Sequence, residues 1–200
     1  MKRLRSPLLT RILLILGAAL LLGAVVLFAL TQILPPMRAR RADELAQTLR
    51  TLMPKVADGV PDQRSDPTMS AVEVDGVNFC GILEIPAYGR TLPVRADWAS
   101  SQTAQYPCRY TGSIYGSGLV IGGSDNEGQL DFMKQISNGD TLFFTDMTGL
   151  RCRYTVTSIL RTDDVSTEHL TDGDADLTLF ARNSYGLDYT LVRCQYRSAG

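Results

Sequence analysis

A run of 23 residues without a single charge, Ile12 to Leu34, lies close to the N-terminus. About 20 apolar residues span a bilayer as a helix, so this run is long enough to cross one. Lys2, Arg3, Arg5 and Arg11 precede it. It ends Leu30-Thr31-Gln32-Ile33-Leu34-Pro35-Pro36, with no A-x-A cleavage site of the kind that ends a secretory signal. The run therefore reads as an uncleaved signal anchor over residues 12–34, with residues 1–11 on the cytoplasmic side. Arg38, Arg40 and Arg41 on the far flank leave the positive-inside rule only a slight preference for an inside N-terminus. Four cysteines after the anchor, Cys80, Cys108, Cys152 and Cys194, suit an oxidising compartment and add to that preference. Four buried thiols in a cytosolic domain are the alternative.

Residues 35–71 read as a stalk. Leu45, Leu49 and Leu52 recur at helical spacing and Pro54 stops the pattern. Ala57 to Ser70 holds Gly59, Pro61, Pro67, Asp58, Asp62 and Asp66, the composition of a linker that holds a domain away from a membrane surface. The formal net charge is −1 with the two signs mixed, so nothing marks a nucleic-acid binder.

From about Val72 the texture is of short strands and turns. Val74 to Ile85 is broken at Asp75-Gly76, and Tyr110 to Ile121 alternates small and apolar residues. Thr141 to Asp146, Arg151 to Leu160, Asp176 to Ala181 and Tyr189 to Gln195 are further strands, and Gln129 to Ile136 suits a short helix. Many short strands at regular spacing predict a mostly β domain over residues 72–200, a closed barrel or a sandwich.

Six segments in order carry a resemblance to the sortase family. Gly81-Ile82-Leu83-Glu84-Ile85-Pro86 with Leu92-Pro93-Val94 resembles the family's opening strand and turn. Leu119 to Ser124 resembles the strand that ends in its glycine-histidine pair. Phe132, Ile136 and Gly139-Asp140 follow as its helix and turn do. Tyr154 and Val156 match a Y-x-V strand. Leu177 to Arg182 resembles the strand that presents the nucleophile, and Tyr189 to Cys194 the final strand. The resemblance implies a closed sortase-like β-barrel with one or two short helices, behind a single N-terminal transmembrane helix. It implies a plasma-membrane protein with its C-terminal domain outside, at a Gram-positive-type cell surface.

The chemistry of that family is cysteine transpeptidation, which needs a thiolate, a histidine and an arginine. All three matching positions differ here. Ser124 stands for the histidine, Arg182 for the cysteine, and Tyr189 for the arginine, or Thr190 if the register slips by one. The resemblance thus implies a non-catalytic relative that binds a sorting-signal-like peptide, a surface protein or an active sortase. The alternative is a transpeptidase with rearranged residues, in which His169 or Cys194 does the work and Arg193 assists. On the same resemblance Cys152 pairs with Cys194 and Cys80 with Cys108, although four cysteines allow three pairings. Asp172, Asp174 and Asp176 alternate as calcium loops do but lack the downstream glutamate, so a solvated turn is the simpler reading. No cofactor is expected.

Overall fold

The computed structural model describes residues 7–62, 67–103, 105–116, 118–184, 186 and 188–198, with side chains omitted at 7–10, 30–39 and 102. Lys2, Arg3 and Arg5 of the basic flank, and Asp66 of the expected linker, lie outside these residues. The chain divides into two units, Met1–Met37 and Arg38–Gly200. In the first, Arg11–Ala29 is a helix long and apolar enough to cross a membrane, and none of it is buried. It belongs to α1, Pro7–Leu52.

The second unit contains the barrel. Its strands are β1 (Ala57–Asp58), β2 (Val72–Val74), β3 (Val77–Ile85), β4 (Arg90–Arg95), β5 (Cys108–Gly112), β6 (Leu119–Ser124), β7 (Thr141–Asp146), β8 (Leu150–Thr162), β9 (Leu177–Arg182) and β10 (Tyr189–Tyr196). The hydrogen-bonded order runs β8-β10-β9-β6-β5-β4-β3, and β7 pairs with both β3 and β8, closing a ring of eight strands. The fold is mostly β, as expected from the spacing of the strands.

Local chemistry explains the elements. In β8, Cys152, Tyr154 and Val156 point into the barrel and Arg153 points out, the period of two that a half-buried strand requires. The break at Asp75-Gly76 is a two-residue hairpin turn joining β2 to β3. Both residues have positive φ, 52° and 75°, as a twist-matched hairpin turn demands. The segment expected as a helix over 129–136 is a 3-10 helix, Leu130–Lys134, that buries Leu130, Phe132 and Met133. A second short helix, α2 (Thr167–Thr171), is capped by Ser166, whose hydroxyl accepts from the backbone N–H of His169.

The C-terminal part of α1 packs on the barrel. Ala46, Leu49 and Met53 are buried and pack on Phe79, Ile82 and Met147 of the barrel; Ala42 is buried as well, while Leu52 is 51% exposed. The Arg50 guanidinium donates to Glu84 at 2.5 Å. Beyond Pro54, β1 pairs in parallel with β8, and the Tyr196 hydroxyl donates to the Gly59 carbonyl at 3.1 Å. Residues from Arg38 onward thus belong to the barrel's compact unit, and the part of the linker before residue 63 is strapped along it.

Candidate functional site

The three positions singled out by the sequence meet in one row. β6 and β9 are parallel with Ser124 opposite Arg182, and β9 and β10 are antiparallel with Arg182 opposite Tyr189. Their side chains share the outer face of the barrel. On the inner face Ile121, Leu179, Ala181 and Val192 enter the core, so Ser124, Arg182 and Tyr189 alternate outward. Arg182 is exposed, and its guanidinium has no hydrogen bond or ion pair among the described residues. The Ser124 hydroxyl is buried and has no partner either.

One row further into the same face, Gly122, Phe180 and Leu191 lie beside one another. Gly122 leaves room for aromatic rings. A Cβ there would lie 2.6 Å from the Trp98 indole and closer still to the Phe180 ring. Trp98 lies 5.6 Å from Phe180 and 5.0 Å from Tyr110, centroid to centroid, and Tyr189 lies 6.3 Å from Phe180. Val120, Leu170, Phe180 and Leu191 are buried in this cluster, with α2 supplying Leu170. The face is therefore filled along its middle, and at its end Arg182 is exposed while Ser124 and Tyr189 are half-buried. Trp98 and Tyr110 arrive from a loop and from β5, and no motif in the sequence pointed to them.

The proposed substitutes lie elsewhere. His169 sits on α2, where its backbone carbonyl accepts from Arg193 at 3.0 Å. Arg193 is four residues along β10 from Tyr189, about 13 Å on a strand. Cys194 points into the barrel with none of its surface exposed, and burial pushes its thiol up to about 12. Burial likewise raises Cys80 to about 12 and Cys152 to about 11, and raises Cys108. None of the four is a ready thiolate at neutral pH.

The expected disulfides are not formed in the structure, where all four cysteines are free and buried. Register explains this. Cys194 is opposite Val156, which leaves Cys152 four residues away along β8, about 13 Å. Cys80 on β3 and Cys108 on β5 have β4 between them, a separation of about 10 Å. A disulfide needs Cα atoms within about 7 Å. The cysteines therefore no longer argue for an outside domain. Among the described residues no three acidic, histidine or cysteine groups converge on a metal position, and the Asp176 carboxylate accepts the Tyr196 backbone N–H at 2.7 Å.

Sequence reasoning also passed over Asp125. This buried carboxylate, next to Ser124, accepts from the Ser184 hydroxyl and from Lys134 at 3.1 Å. Burial pushes its pKa up, but the hydrogen bonds from Ser184 and Lys134 outweigh it and hold the carboxyl below its ordinary value. Asp125 lines a cavity of about 570 Å³ at the barrel mouth, with Lys134, Arg161, Asn183 and Thr190.

No family model matches the chain, and no curated protein matches it. Solved structures do. The chain is similar to sortase A from Corynebacterium diphtheriae at 16% identity and a TM-score of 0.55, over 83% of this chain and 85% of that one. It is similar to Clostridium perfringens sortase C solved with the C-terminal cell wall sorting motif, at 18% identity and a TM-score of 0.53, over 60% and 71%. Sortase C1 from Streptococcus agalactiae aligns at 16% identity and a TM-score of 0.53, over 64% and 72%. At these identities the likeness is one of fold, and the fold of this chain is a sortase-like β-barrel.

Proposed function

We propose that this sortase-fold chain is a non-catalytic, membrane-anchored protein that binds where its structural relatives transfer. The observation that carries the reading is the row Ser124–Arg182–Tyr189. Transpeptidation needs a thiolate at the end of β9, and the side chain there is a guanidinium, which stays protonated and is no nucleophile. Leaving-group protonation needs an acid at the end of β6, and a serine hydroxyl has no useful pKa for that work. Neither His169 nor Cys194 is at the row, since His169 sits on α2 with its carbonyl against Arg193, and Cys194 is sealed in the core.

The helix Arg11–Ala29 would be the anchor, with the N-terminus inside and the barrel at the cell surface, as the basic residues before it favour. The partner class is a peptide or surface protein. Support comes from the Clostridium perfringens sortase C solved with a sorting motif. A second reading is a purely structural module. The filled middle of the outer face, with Val120, Leu170, Phe180 and Leu191 buried, favours it.

The test incubates the full chain in detergent with a panel of sorting-signal peptides, with and without reductant. Mass spectrometry then follows cleaved or joined products, and equilibrium dialysis follows retained peptide. The binding reading expects retention without product, and the structural reading expects neither. Product that disappears on Cys194→Ala or His169→Ala would establish a rearranged enzyme and overturn both.

A further inference from the structure

We infer that the Arg182 end of the outer face binds the C-terminal carboxylate of a peptide, with Arg182 and Ser124 as its donors and Trp98 as the rest for the last side chain. The inference rests on the binding reading above and names the ligand group that such a site takes.

The donors come first. Arg182 is exposed at the end of β9 with no acidic partner among the described residues. A guanidinium offers parallel N–H donors in a fixed fork that matches a carboxylate. Ser124, one strand across, carries a buried hydroxyl with no hydrogen bond, and a buried hydroxyl left unpaired costs free energy. A carboxylate seated on the outer face over this pair would satisfy both. The nearest acid in sequence, Asp125, faces the barrel mouth and is already held by Lys134 and Ser184, so it leaves the outer row positive.

Apolar surface adjoins the donors on one side. Trp98 lies against Gly122, two residues before Ser124, and is 38% exposed as a residue, one of few large apolar residues of the barrel unit left so open. Two strand residues span about 7 Å, so a carboxylate held at Ser124 leaves Trp98 within contact of the side chain of the same residue. Tyr189 flanks Arg182 on the other side. Inward from this row the face is closed by Phe180, Tyr110 and Leu170. The exposed Arg182 end thus suits a chain end better than a chain running on across the rings. A side-chain carboxylate from mid-peptide would have to bring its flanking backbone across that closed region.

Trp98 is the sole tryptophan of the chain, so its fluorescence reports the site directly. The full chain in detergent is titrated with N-acetyl-Ala-Ala-Leu carrying a free carboxylate, with the same peptide amidated, and with amidated N-acetyl-Ala-Glu-Leu. The free acid should give a saturable shift in emission, and each amide should bind at least about tenfold more weakly. Arg182→Gln should lose at least about tenfold, Arg182→Lys less, and Ser124→Ala a few-fold. Arg161→Gln removes one charge at the barrel mouth and should leave binding unchanged. Thermal melting of each variant separates a lost site from a lost fold. Equal binding of acid and amide, indifference to Arg182→Gln, or no emission shift with any peptide would overturn the inference. Preference for the Glu-containing amide would move the ligand to a side-chain carboxylate and overturn the chain-end assignment. Cleaved peptide in the same samples would instead overturn the non-catalytic reading.

Discussion

Lys134 reaches the buried carboxylate of Asp125 at 3.1 Å, pinning the 3-10 helix to the residue that follows Ser124. The Ser184 hydroxyl binds the same carboxylate from the β9–β10 loop. Asp125→Asn weakens both contacts and should cost about 1–3 kcal/mol. The carboxyl titrates below its ordinary value in the folded state, so its stabilising effect is complete above about pH 4 and is lost as pH falls through the lowered value. Denaturant melts from pH 7 downward should show wild type and Asp125→Asn converging only in strong acid. A gap independent of pH would show that Asp125 is not the group responsible.

The four thiols are sealed, and burial raises each of them. The native protein should therefore react negligibly with a thiol reagent over minutes. After unfolding without reductant it should take up four equivalents. Uptake of none would mean that two disulfides form in the cell, and that the registers of β8 with β10 and of β3 to β5 differ from those described.

Arg182→Cys places a thiol at an exposed strand end that no native cysteine shares. The variant should label with one equivalent in the folded state, where wild type labels with none. It should still not transfer peptides, because Ser124 offers no acid for the leaving amine. A slow, buried response of the new thiol would contradict the outward direction of the row.

Leu49 is fully buried against the barrel and Leu52 is half exposed. Leu49→Ala should cost about 2–5 kcal/mol, and Leu52→Ala should fall within about 0.5 kcal/mol of wild type. Equal, small effects in thermal or chemical unfolding would return residues 38–53 to the role of a free stalk.

The helical stripe of that segment was legible in the sequence only in part. Leu45 and Leu49 do pack on the barrel, but Leu52 is exposed, and the rest of the buried face is Ala42, Ala46 and Met53. Alanines let a helix approach a surface closely, and a pattern weighted toward large side chains passes over them. The hairpin at Asp75-Gly76 was visible because a positive-φ turn has its own residue preference. The turn between β5 and β6 was not, and Tyr110 to Ile121 read as one piece. At the site, the three row positions followed from ordered segments along the chain. The rings packed over them did not, because Trp98 and Tyr110 reach Phe180 only through tertiary contact. Cysteine pairing depends on register, which spacing along the chain does not carry and which in β10 shifts between Arg193 and Cys194.

Closing the ring through β7 leaves β1, two residues long, and β2, three residues long, at the ends of the strand order among the described residues. Such short borders offer few backbone donors or acceptors to an incoming chain. The ring itself has one thin seam: β4 meets β5 at the single pair Arg95–Cys108, so Thr91 to Val94 pair with β3 alone. A guest that lengthens the host's sheet would have to enter at that seam.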